Sequence, residues 1–179
     1  MKYFIGITPP DEYKEKIVVF RDRWSSSYLN DVAEPHITVK AQGGLHGDLK
    51  WLEKVRQTCD SIQTFSLTLS VPGSFGSEVL FLSVETEKVI DLHRRLVNVI
   101  SPSQELVDRY FEMDKYHPHL TLGQTNWGLK ETEIHEMEML AINELAPYPT
   151  FNVHFVRVYK EVKPNQYVPF VDIPLGAKC

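Results

Sequence analysis

Apolar and polar positions change period several times along the chain. Lys2 to Thr8 carries β-branched and aromatic residues and stops at Pro9-Pro10, which predicts a first strand. Asp11 and Glu12 then open a helix in which Tyr13, Ile17 and Phe20 recur at helical spacing, to about Ser25. After a loop over residues 25–31, Pro35 leads into a strand, His36-Ile37-Thr38-Val39-Lys40. Asp48 is the expected N-cap of a helix bearing Leu49, Leu52, Val55 and Ile62. Phe65 to Val71 alternates apolar residues with Ser and Thr, a half-buried strand. Pro72 to Ser77 reads as a turn, and Val79 to Val84 as a more fully buried strand. Thr86 opens a helix with Val89, Leu92, Leu96, Val99 and Ile100 on one side, and Ser101 to Asp114 is polar and irregular. Pro118 enters a second strand, His119-Leu120-Thr121-Leu122-Gly123. A helix from about Lys130 to Glu144 and strands over 150–155, 156–162 and 167–173 complete the order.

Strands and helices alternate, but hairpins also occur. That order predicts an α+β fold with largely antiparallel sheets, not a doubly wound parallel one. No GxGxxG follows a strand and no Walker loop is present, which argues against dinucleotide and nucleoside-triphosphate sites of those kinds. Hydrophobic residues at 42% and charged residues at 24% place the chain among globular proteins. No apolar run approaches the roughly 18 to 20 residues that cross a bilayer, so no membrane is expected as a partner. The net charge of −5 disfavours holding long nucleic acid by neutralising many phosphates. It leaves room for a mononucleotide or a short RNA end in a locally positive pocket. Two cysteines, Cys59 and Cys179, are too few for a disulfide framework, and the terminal Cys179 is expected to be mobile. No cleavage site follows the short apolar N-terminus, so the cytoplasm is the expected compartment.

One local pattern occurs twice. Pro35-His36-Ile37-Thr38-Val39 and Pro118-His119-Leu120-Thr121-Leu122 share proline, histidine, aliphatic, threonine, aliphatic. A lone His-x-Thr is unsurprising in this composition; two copies matched at all five positions are not. Alternation along a strand turns His36 and Thr38 one way and Ile37 and Val39 the other, and the second copy repeats this. Each copy then buries aliphatics and presents an imidazole and a hydroxyl, about 6.6 Å apart at Cβ. Two such pairs around one phosphate suit in-line phosphodiester chemistry without metal. A neutral imidazole takes a proton from the attacking oxygen, and a protonated one gives a proton to the leaving oxygen. The threonine hydroxyls donate to non-bridging oxygens, where charge builds.

Two HxT motifs on a chain of this length resemble the 2H phosphoesterase superfamily, which includes 2′-5′ RNA ligase-like and cyclic phosphodiesterase proteins. The resemblance extends over nearly the whole chain. It implies one bilobal domain over residues 1–179, with pseudo-twofold lobes, two mostly antiparallel sheets flanked by helices, and a cleft between the lobes. It places the catalytic pair on His36 and His119 and the phosphate-binding pair on Thr38 and Thr121. It implies hydrolysis of 2′,3′-cyclic or 2′-5′ phosphodiesters of nucleotides or RNA ends, with no metal and no cofactor, and in certain members the reverse ligation. Many relatives carry a basic residue shortly after the second motif, where this chain has Gly123-Gln124-Thr125.

Lys40 would continue the alternation onto the cleft face and supply positive charge in its place. Gln124 is a candidate substrate contact. Phe75, between small residues of the expected turn, could stack on a base or plug the core beneath the hairpin. Tyr116 is similar. Metal binding through His36, His117 and His119 with Cys59 or Asp114 is a competing reading, weakened because threonine is a poor zinc ligand and Cys59 falls on a helix. A noncatalytic nucleotide or RNA-end binding protein with the same cleft is the competing function.

Overall fold

The computed structural model describes residues 1–176. The eight strands are β1 (Tyr3–Ile7), β2 (Ile37–Lys40), β3 (Phe65–Phe75), β4 (Val79–Glu85), β5 (His119–Gln124), β6 (Thr150–Val153), β7 (Phe155–Lys163) and β8 (Gln166–Pro174). Six helices intervene: α1 (Asp11–Arg21), α2 (Leu29–Val32), α3 (Lys50–Asp60), α4 (Glu87–Ile100), α5 (Gln104–Arg109) and α6 (Glu131–Glu144). All neighbouring strands run antiparallel, in the order β6-β3-β4-β5-β2-β1-β7-β8. Helices α3 and α4 pack on the β2-β1-β7-β8 half, and α1 and α6 on the β5-β4-β3-β6 half.

The two sheets expected from the sequence are therefore two halves of one sheet. They meet at one Cα pair, Ile37 with Leu120. Carried one and two steps along this register, the seam explains itself. Pro35 falls opposite Leu122 and Pro118 opposite Val39, and neither proline has an N–H to extend the ladder. The prolines of the repeated pattern thus set where the halves join and where they part.

The core lies between sheet and helices. Ile37, Val39, Leu120 and Leu122 are all fully buried there, with Ile17 of α1, Val55 of α3, Leu96 of α4 and Met137 of α6. Helix α4 is capped by Thr86, whose hydroxyl accepts from the Lys88 N–H at 3.3 Å. Several segments differ from expectation: α1 ends at Arg21 and not near Ser25, α2 begins inside the expected loop, and Leu49, not Asp48, is the N-cap of α3. Strand β3 continues through Pro72 to Phe75, with a bulge between Leu69 and Pro72 that absorbs the proline, so the turn shrinks to residues 76–78. The polar stretch after α4 contains α5 and a 3₁₀ turn, Met113–Lys115. Cys59 is buried on α3, and Cys179 lies outside the described residues. Among the described residues no helix is long and apolar enough to cross a membrane.

Candidate active site

His36 and His119 sit at the proline-led entries to two adjacent central strands. The seam register sets His36 beside Thr121 and Thr38 beside His119, all on the face away from the aliphatic core. Each imidazole is fixed by the same local bond. His36 Nδ1 lies 2.7 Å from the Glu34 carbonyl, and His119 Nδ1 lies 2.7 Å from the His117 carbonyl. A carbonyl can only accept, so Nδ1 carries the hydrogen in both rings and Nε2 is left for the cleft. The intervening proline, with its φ locked, bends the chain so that the carbonyl two residues back meets the ring.

Each ring also has an aromatic seat. His36 packs on Phe4 at 4.7 Å and Tyr159 at 5.4 Å; His119 packs on Phe81 at 5.1 Å and Phe75 at 5.2 Å. A glycine makes room beneath each seat. A Cβ on Gly6 would come within 3.3 Å of the Tyr159 ring, and one on Gly73 within 2.9 Å of the Phe81 ring.

Two chambers meet at this face, sharing Thr38 and Gln42. A chamber of about 600 Å³ opens on the His119 side, walled by Phe75, Val79, Tyr110, Phe111 and Tyr116. A smaller one of about 220 Å³ lies on the His36 side, lined by Thr121, Gln124, Arg21 and Trp127 among others. Phe75 is 41% exposed and closes on Phe81 at 4.5 Å, so it forms a wall of the large chamber and does not plug the core. Gln124 lines the small chamber. Phe111, which the sequence did not single out, stands 68% exposed in the large one, at a positive φ of 53° that a bulky residue seldom adopts. Among the described residues no group of three or more His, Cys, Asp and Glu side chains could hold a metal; Cys59 is in the core and Asp114 on the surface.

The model of the 2′-5′ RNA ligase superfamily matches residues 9–165, most of the chain. The chain belongs to the 2′-5′ RNA ligase superfamily. Solved structures agree in fold. TT0787 of Thermus thermophilus superposes with a TM-score of 0.65 at 16% identity, covering 99% of this chain and 100% of that one. Escherichia coli LigT complexed with 3′-AMP superposes with a TM-score of 0.61 at 19% identity, covering 98% of each chain. No curated protein matches the chain.

In this superfamily member the strands that carry the motifs lack part of their ladder, and side chains complete it. The Tyr116 hydroxyl donates to the Thr38 carbonyl at 2.8 Å, and an Arg21 Nη donates to the Thr121 carbonyl. The Tyr116 ring stacks on His93 at 3.7 Å, and His93 Nδ1 donates to the Val39 carbonyl at 2.9 Å. Tyr116 therefore lines the large chamber with its ring while its hydroxyl holds the first motif.

Lys40 does not reach the cleft. A bulge makes Val39 an extra residue opposite β1, so Thr38 pairs with Gly6 but Lys40 pairs with Ile5, on the core face. Its ammonium is fully buried and donates to Glu112 Oε1 at 2.7 Å and to the carbonyls of Ala41 and Gly43. Arg21 was legible in retrospect: it falls four residues after Ile17, on the buried side of an amphipathic helix, where a guanidinium needs a reason.

Burial also sets the charge state of the site. It pushes His36 down to about 4; the bond to Glu34 opposes this, while the cationic Arg21 and His119 add to it. His119 is lowered too, by burial first. Behind His36, the Glu34 carboxylate takes Lys14 at 2.9 Å, Arg157 at 2.8 Å and the Tyr159 hydroxyl at 2.9 Å, and these bonds hold it below the usual carboxylate range against the cost of burial.

Proposed function

We propose that the protein is a metal-independent phosphoesterase that hydrolyses 2′,3′-cyclic or 2′-5′ phosphodiester bonds of nucleotides or RNA ends. The observation that carries this reading is the pair of imidazoles on adjacent strands, each with Nδ1 tied to a carbonyl and Nε2 left for the cleft. Each has a threonine of the other motif beside it. Superfamily membership makes phosphodiesters the expected substrate class, and the solved LigT complexes with 3′-AMP and with phosphate support a nucleotide phosphate in this cleft.

The unequal chambers favour a division of labour. The nucleoside takes the large chamber, with Phe75 against the base, the phosphate lies between the two motifs, and water approaches from the smaller chamber. His36, held neutral at ordinary pH, accepts the proton of that water at Nε2 as its oxygen bonds to phosphorus. The bond to the ribose oxygen breaks, and His119 Nε2 supplies the proton that oxygen takes. Thr38 and Thr121 donate to the non-bridging oxygens. The substrate's negative charge raises the His119 pKa on binding, so the acid is charged when it is needed.

Incubation with 2′,3′-cyclic mononucleotides in EDTA tests the proposal. Turnover that persists in EDTA and is lost in His36→Ala and in His119→Ala is the expected result. Tight binding without turnover by the intact protein would make it a noncatalytic nucleotide-binding protein instead. Activity abolished by the chelator would make it a metal enzyme.

A further inference from the structure

We propose that Arg21 is the anion-binding cation of the small chamber, the side chain that neutralises a phosphate group held between the two motifs. The proposal rests on the phosphoesterase reading for the identity of the anion. Arg21 ends α1 only 3% exposed, and it lines the chamber with His36, Thr38, Thr121 and Gln124. One Nη donates to Asn30 Oδ1 at 3.1 Å and the other to the Thr121 carbonyl, both neutral acceptors. Its Nε is buried with no hydrogen-bond partner among the described residues. Asp22 is the one carboxylate acting on it, and that group accepts from the Asn30 amide at 2.7 Å.

A buried charge without a counter-charge is strongly disfavoured unless something anionic joins it. Burial accordingly pulls Arg21 down to about 9. The other cations near the two chambers are already matched: Lys40 to Glu112, Lys115 to Asp108, and Arg157 to Glu34 and Asp172. Arg21 is thus the one guanidinium or ammonium lining either chamber without a carboxylate partner, among the described residues. Gln124 of β5, which lines the same chamber, is neutral, so the positive charge of this chamber comes from the helix and not from β5. An arriving phosphate would give the guanidinium the charge it lacks, and the residue's hold on Thr121 places that charge next to the second motif.

The test compares binding of adenosine 3′-monophosphate with that of neutral adenosine, and of inorganic phosphate, at constant ionic strength. Arg21→Met should weaken adenosine 3′-monophosphate and phosphate by about 10- to 100-fold, the worth of a charge-assisted contact, and leave adenosine within about twofold. Arg21→Lys, which keeps the charge, should recover most of the phosphate affinity. Equal loss for the nucleotide and the nucleoside, or no loss for either, would overturn the proposal. Should Arg21→Met fail to fold, the intact protein decides: adenosine 3′-monophosphate binding no tighter than adenosine would overturn it, and a clear preference, kept in Arg21→Lys, would support it. These are binding measurements, so absent turnover would sink the phosphoesterase reading while leaving this result standing.

Discussion

The two histidines share a strand entry, a proline and a carbonyl acceptor, yet their surroundings differ. His36 is enclosed: Phe4 and Tyr159 cover the ring, Arg21 stands near it, and the Glu34–Arg157–Asp172 ion pairs lie behind. His119 opens onto the large chamber beside a half-exposed Phe75. Repetition of a short motif therefore supplies two like groups, and the chain around each makes them chemically unequal. General acid–base catalysis needs that inequality, because one group must be neutral while the other is charged.

The sharpest way to break the comparison is to remove each ring. His36→Ala and His119→Ala should each lower turnover of a 2′,3′-cyclic nucleotide by about 10² to 10⁴. His36→Ala should also lower the melting temperature more, since its ring is the more enclosed. Full activity in either variant, measured by steady-state kinetics, would end the two-histidine mechanism.

Next in size is the buried pair that holds the first motif. Lys40→Met leaves the Glu112 carboxylate buried without its cation, held only by the Ala41 N–H, and should cost about 3 to 5 kcal/mol of stability by urea unfolding. The double variant Lys40→Met, Glu112→Leu should recover much of that loss, because an apolar pair replaces an ionic one. A single variant as stable as the parent would show that the pair does not anchor β2.

The smallest effect belongs to the open side. Phe75→Ala should weaken nucleotide binding by about 1 to 3 kcal/mol, the worth of one base stack, with little change in melting temperature. An unchanged Michaelis constant with a lowered melting temperature would return Phe75 to the core.

Much of this was legible in the residues because strand alternation and proline chemistry are local. The pattern His-x-Thr flanked by aliphatics predicts which side chains enter the core, and Ile37, Val39, Leu120 and Leu122 do so. Lys40 was misplaced because the bulge at Val39 depends on pairing with β1, which no local pattern records. The family resemblance implies two sheets; the single pair that joins them into one, Ile37 with Leu120, is a tertiary contact that no local pattern records. Glu112 lies in a polar segment that offers no sign of burial, and its value comes only from meeting Lys40 across the fold.

The pH dependence of cyclic-nucleotide hydrolysis in EDTA tests the central claim, two unequal histidines in acid–base roles, most directly. The base works deprotonated, so kcat/KM should fall as pH drops through the lowered pKa of His36, about 4. The acid works protonated, so kcat/KM should fall again as pH rises through the pKa of His119, which lies below the ordinary histidine value. The account predicts a bell with its maximum on the acid side of about pH 6.5. It also predicts a kcat profile displaced to higher pH, because bound phosphate raises both values. A flat profile, or a single limb that neither histidine variant alters, would contradict it.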